Sequence, residues 1–135
     1  MEIAISTDLP KSAGFENVEL ATREILSENG FGILTEIDVK ATMKKKLDKD
    51  MDNYKILGAC NPSRAHKVLE VDSTLGILLP CNVIIYETED AIQVAATKAY
   101  DLFSKLNDNP DVGNVAKDVE SIFAKVISDI KKKFT

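Results

Sequence analysis

The sequence predicts an α+β sandwich, a sheet with helices on one of its faces. Three observations lead there. Short strand-like runs alternate with helical ones along the chain. A strand–turn–strand hairpin comes late, around residues 75–97. The chain then closes on an amphipathic helix over about 114–133, with Val115, Val119, Ile122, Val126 and Ile130 in one apolar row, widened by Ala116, Phe123 and Ile127. No linker or repeat divides the chain, so residues 1–135 read as one domain.

A first strand is expected over Glu2 to Ser6. Pro10 to Gly14 then leads into a helix with Ser12 as its N-cap, carrying Phe15, Val18, Ala21 and Ile25 at helical spacing. Asn29-Gly30 stops it, because glycine takes the left-handed conformation freely. Phe31 to Asp38 is a strand with Phe31, Ile33, Thr35 and Ile37 on one face and Gly32, Leu34, Glu36 and Asp38 on the other. Asp38 caps a surface helix from Val39 to about Lys49, whose apolar stripe is only Val39, Met43 and Leu47. Tyr54 to Ala59 is a strand. Asn61-Pro62 starts a helix to about Val71, with a capping residue ahead of proline at the first helical position.

Leu75 to Glu87 reads as strand-rich and interrupted by Pro80, which implies a bulge, break or edge. Ala91 to Thr97 is the returning strand. Tyr100 to Leu106 is a short helix, and Asn107 to Gly113 reads as the loop before the last one.

Composition bounds the function. The chain has 135 residues, 44% of them apolar, enough for a core without disulfide staples. Its net charge is −5, a poor match for a phosphate backbone, so nucleic acid is not expected as a partner. The runs Lys44-Lys45-Lys46 and Lys131-Lys132-Lys133 fit solvated helix ends. No signal peptide is visible and no window approaches the ~18 apolar residues of a membrane span, which points to a cytoplasmic protein away from membranes. Two cysteines without a secretion signal read as free thiols. No phosphate loop, dinucleotide fingerprint or nucleophile elbow is present, and no cofactor is expected.

Three stretches carry a resemblance. Gly30-Phe31-Gly32-Ile33-Leu34-Thr35-Glu36-Ile37-Asp38-Val39-Lys40, then Gly58-Ala59-Cys60-Asn61-Pro62 with Ala65-His66, then Leu78-Leu79-Pro80-Cys81-Asn82-Val83 resemble, in order, the signatures of domain-of-unknown-function family 302. The resemblance covers about residues 15–97. It implies a TATA-box-binding-protein-like (TBP-like) α+β fold, a curved, mainly antiparallel sheet backed by helices. It also implies a small intracellular protein, often dimeric, and no established activity. One departure stands out. After the last strand the family usually has an Ile-Asp-Pro-like step, where this chain has Val94-Ala95-Ala96-Thr97-Lys98-Ala99.

The two Cys-Asn steps supply the candidate site. Cys60 ends a strand before a helix, where free N–H groups favour a thiolate. The favoured reading is the small buried residue that a crowded turn selects. Cys81 follows Pro80 and reads as inward-facing, and Asn82 can bond backbone that Pro80 leaves unpaired. His66, the only histidine, lies one helical turn past Pro62 and could approach the Cys60 turn. Glu36 is either a pocket carboxylate or a polar edge residue.

The ligand-binding candidates are therefore Glu36, Cys60, Asn61, His66, Cys81 and Asn82. Cys60 and His66 are the candidates for catalysis, and Cys60, His66 and Cys81 are weak candidates for a metal, since their spacing lacks the close pairs of zinc modules. The leading expectation is a homodimeric domain binding a small ligand or partner in a pocket near the Cys60 and Cys81 turns. A thiol-based enzyme or carrier in sulfur, redox or metal handling is the alternative. A purely structural dimerisation module is the third.

Overall fold

The computed structural model describes residues 2–135. In chain order the elements are β1 (Ala4–Leu9), a 3-10 turn (Lys11–Ala13), α1 (Phe15–Glu28), β2 (Gly32–Asp38), α2 (Val39–Leu47), β3 (Tyr54–Cys60), α3 (Pro62–Val71), a second 3-10 turn (Ser73–Leu78), β4 (Cys81–Glu87), β5 (Ile92–Thr97), α4 (Ala99–Leu106) and α5 (Pro110–Phe134). The five strands form one antiparallel sheet in the order β1-β5-β4-β3-β2. The helices α1 and α5 cover one face, as the α+β reading requires.

Alternation sets what that face buries. Leu57, Val83, Ile85, Ile92, Val94 and Ala96 point at the helices and are almost fully enclosed. The long helix answers with Val112, Ala116, Phe123, Val126 and Ile130, also enclosed. Of the row the sequence spacing marked out, Val119, Val126 and Ile130 are buried, with Ala116, Phe123 and Ile127 beside them, while Val115 and Ile122 are only half-buried, so the inward face is turned toward Ala116 and Phe123.

Five elements depart from the sequence reading. The strand expected at Glu2 to Ser6 is Ala4–Leu9, because Ile5, Thr7 and Leu9 alternate inward although Ser6-Thr7-Asp8 looks polar. Ser12 caps nothing; it sits in the 3-10 turn, and α1 starts after Gly14 with no side-chain cap. The stretch before Pro80 is a 3-10 turn rather than strand, and Asp72 caps it through Thr74 N–H. The expected loop Asn107 to Gly113 is shorter, because α5 already begins at Pro110 with Asn109 as its cap. That is the same Asn-Pro signal that starts α3, and Gly113 obscured it.

The most informative departure is in β2. Ile33 pairs with Ala59, yet Thr35 pairs with Gly58, so Leu34 is an extra residue in a β-bulge. An extra residue inverts the alternation beyond it. Phe31 and Ile33 keep the inward face, but Glu36 and Asp38 then join the helix side, while Thr35 and Ile37 turn to the open face. The single-face assignment of Phe31, Ile33, Thr35 and Ile37 is thereby corrected.

The ion pairs agree with this. Arg23 of α1 donates to Glu36 Oε2 at 2.6 Å and to Glu19 Oε2 at 2.8 Å, and Lys55 reaches Glu19 at 3.0 Å. Burial pushes the Glu19 carboxyl up, but the hydrogen bonds and charges of Lys55 and Arg23 outweigh it and hold that group below the usual range. The cluster ties α1 to the β2–β3 edge of the sheet.

Candidate functional site

The candidate site lies where α3, α4 and α5 meet the ends of β3 and β4. Its position follows from two junctions. At the first, β3 runs straight into α3. Asn61 Oδ1 accepts from Arg64 N–H at 3.2 Å and from Ser63 Oγ at 3.0 Å, and Pro62 occupies the first turn, where a missing N–H costs nothing. Asn61 Nδ2 also donates to Gly30 O at 3.2 Å, which ties this junction to the α1–β2 turn. Gly30 has φ 84°, a conformation that favours glycine. At the second junction the chain leaves the 3-10 turn through Leu79-Pro80 and enters β4 at Cys81, which pairs with Ala59.

Between these junctions and the helices is an apolar cavity of about 30 Å³. Its walls include Phe31, Ala59, Cys60, Leu79 and Cys81 from the sheet side. Val68 of α3, Phe103 of α4 and Ala116 and Val119 of α5 close it from the helix side. Asn61, Arg64 and the two thiols bring its polar atoms.

Three of the sequence candidates are therefore together: Cys60, Asn61 and Cys81. The other three lie elsewhere. His66 points to solvent with its side chain 74% exposed, and its Nδ1 lies 3.1 Å from Glu70 Oε1, one turn along the same helix. It does not line the cavity, because its position on α3 faces away from α5. Glu36 belongs to the Arg23 cluster. Asn82 is exposed on the uncovered face of the sheet, away from the cavity, and its backbone carbonyl accepts from Thr97 Oγ1. Among the described residues no group of three or more His, Cys, Asp or Glu is placed to hold a metal, so Cys60, His66 and Cys81 do not form the suggested ligand set.

The thiols also differ from the reactive pair that a thiol enzyme needs. Both are free, Cys60 partly and Cys81 fully buried. Burial pushes the Cys60 thiol above its ordinary value, the opposite of the lowering expected from the nearby helix end. Burial, with a smaller contribution from Cys60, pushes Cys81 from the ordinary 9.0 up to about 11. A neutral thiol is a poor nucleophile.

A pH prediction follows with a definite sign. The unfolded Cys81 thiol ionises near 9.0, while the folded one stays protonated to about 11. Its contribution to stability is therefore full below the ordinary thiol pKa and is lost as pH rises through this window. Two pH units at about 1.36 kcal/mol each give a loss of roughly 2–3 kcal/mol. Denaturant titrations between these pH values, in wild type and Cys81→Ala, check it. An equal slope in both proteins would assign the loss to other groups.

Sequence reasoning missed Arg64 and the helix-side walls. Arg64 had a signal: it is one of two arginines among 17 basic residues. Nothing in the sequence says that Phe103 and Ala116 meet at Cys81.

The family model of Domain of unknown function DUF302 matches residues 5–130. The chain belongs to the DUF302 family. The match extends beyond the three signature stretches and takes in α4 and most of α5. The crystal structure of an uncharacterized conserved DUF302 protein from Bacillus stearothermophilus is similar over 100% of both chains, with a TM-score of 0.82 and 23% identity. At that identity the likeness shows the shared fold. No curated protein matches the chain. Within the DUF302 signatures, Gly30, Gly58, Asn61 and Pro62 now have structural duties, and Phe31, Ala59, Cys60, Ala65, Leu79 and Cys81 face the cavity.

Proposed function

We propose that the chain is a small cytoplasmic binding domain that works as a homodimer and holds a small ligand in the cavity beside the Cys60 and Cys81 turns. One observation carries the ligand half. Three signature stretches, distant in sequence, each contribute a wall to the same apolar space: Phe31 from the first, Ala59 to Asn61 from the second, and Leu79 and Cys81 from the third. Pockets for drug-sized ligands measure roughly 300–1,000 Å³. A cavity of about 30 Å³ suits a very small molecule, or the tip of a larger one. The raised Cys60 and Cys81 thiols and the outward His66 favour binding over thiol catalysis.

Xenon is the direct probe, since dry apolar cavities take it up. Under xenon pressure, amide shifts should concentrate at Ala59, Val68, Phe103 and Ala116. Shifts spread evenly over the protein, or absent from these four, would remove the cavity reading.

The uncovered sheet face supports the dimer half. Ser6, Ala95, Ile84, Ile56 and Ile37 run across all five strands as one row. Beside it runs the row Asp8, Gln93, Tyr86 and Tyr54, with the two tyrosine rings stacked at 5.3 Å. In a chain that is 29% charged, Asp8 is the one charge in these two rows. Loss of charge with retention of tyrosine is the composition of an interface core. Five strands about 4.8 Å apart and some 20 Å long span roughly 500 Å² in projection, and side-chain relief brings this near the ~800 Å² per partner of a standard dimer. A nearly neutral face is also self-complementary about a two-fold axis.

Ile84→Lys is expected to turn a sedimenting dimer into a monomer with unchanged circular dichroism. A wild-type monomer at every concentration, or a dimer that Ile84→Lys leaves intact, would rule out this face.

A further inference from the structure

Arg64 is the one charged residue that lines the cavity. Its Nε is buried and has no hydrogen-bond partner among the described residues. The nearest carboxylate oxygen, Asp118 Oδ2, stands 3.9 Å away on a side chain that is 66% exposed. That separation lies beyond hydrogen-bond reach. The other arginine makes the contrast clear: Arg23 donates three bonds of 2.6–3.0 Å to Glu19 and Glu36. One guanidinium is held by two carboxylates of its own fold, and the other, on a residue that lines the cavity, is left with a buried, unsatisfied N–H.

An unsatisfied buried donor is unfavourable, and an acceptor placed against it recovers that loss. The planar guanidinium fork matches a carboxylate in particular, with two parallel N–H···O bonds. The start of α3 adds the positive end of a helix on the same side. The remaining walls are aliphatic or aromatic, so whatever follows the anion must be apolar. At roughly 10–15 Å³ per water-sized group, a space of about 30 Å³ admits about two or three carbon atoms.

We propose that the cavity takes a short aliphatic carboxylate, with the carboxylate on the Arg64 guanidinium and the alkyl tail between Phe31, Val68, Phe103 and Val119. The inference rests on the cavity reading above and adds the chemistry of its ligand. Asp118 competes for the same guanidinium, so it weakens binding while it is charged.

The test titrates the full chain with propionate, 1-propanol and propylammonium at matched ionic strength, following the amides of Ala59, Val68, Phe103 and Ala116. Propionate should saturate these shifts with at least tenfold tighter binding than propanol, and propylammonium should give none. Arg64→Gln should cost propionate tenfold or more and leave propanol unchanged. Arg64→Lys should recover part of the loss, and Asp118→Asn should tighten propionate several-fold. Should Arg64→Gln not fold, the Arg64→Lys and Asp118→Asn titrations carry the same comparison. Equal binding of propionate and propanol overturns the carboxylate assignment, as does indifference to the Arg64 and Asp118 variants. If xenon enters and propionate does not, the assignment alone fails. If neither perturbs the lining residues, the cavity reading fails with it.

Discussion

Phe123→Ala is expected to lower unfolding free energy by about 3–5 kcal/mol, the range for truncating an enclosed phenylalanine. The ring is fully buried, and it packs against Phe31 with centroids 4.8 Å apart. That contact joins α5 to the start of β2, so truncation opens a void at the place where helix, sheet and the α1–β2 turn meet. The ring belongs to one close-packed core with other fully enclosed side chains such as Leu26 and Val126, and such a core closes over a lost ring only by leaving its rotamers. Domains of this size have about 5–15 kcal/mol in total, so the variant should unfold at a much lower denaturant midpoint. Phe123→Leu should recover more than half of the loss. A midpoint shift worth under ~1 kcal/mol for Phe123→Ala would show that the core refills, contrary to this packing.

Gly58→Ala should have the second largest effect, about 2–3 kcal/mol, at the upper end of the cost of overpacking. A Cβ at this position would fall on Thr35 Oγ1 and within 2.7 Å of Pro80 Cγ. Thr35 is a hydroxyl on one neighbouring strand and can rotate away. Pro80 is a ring held in the backbone and cannot. The double variant Gly58→Ala/Thr35→Ala should therefore restore only part of the stability. Full restoration would place the whole clash on Thr35, and an unchanged Gly58→Ala would mean that β3 shifts freely. Either result would remove the steric account of the glycine in the second signature.

The same glycine shows how the signatures divide. Gly58 permits the close approach of β2 and the Pro80 junction; Asn61 holds α3 and the Gly30 turn together. Those duties are architectural. The side chains with no such duty, Cys60 and Cys81, are among those that line the cavity. A thiol at each junction fills space that a larger residue would close and that a charged one would not tolerate.

What could be read without coordinates was local. The Asn61-Pro62 start, the Asp38 cap, the Asn29-Gly30 stop and the apolar row of α5 each depend on residues within a turn or two of one another. Their energies are decided by neighbouring backbone and by periodicity, and a sequence displays both. The errors were local patterns overruled at longer range. Ser6-Thr7-Asp8 is strand because β5 supplies its hydrogen bonds. Glu36 faces the helices because Leu34 bulges and Arg23 waits on α1.

By itself, then, the sequence determined the α+β class, the capped starts of α2 and α3, the amphipathic C-terminal helix and the likeness of its three signatures to one family. The tertiary structure decided that Cys60 and Cys81 share a small apolar cavity, that His66 stays outside it, and that Arg64 stands at its wall with an unpaired N–H. The reason is physical. Capping and periodicity act between residues close in sequence, whereas a cavity is the space left where five elements, packed for other reasons, fail to meet.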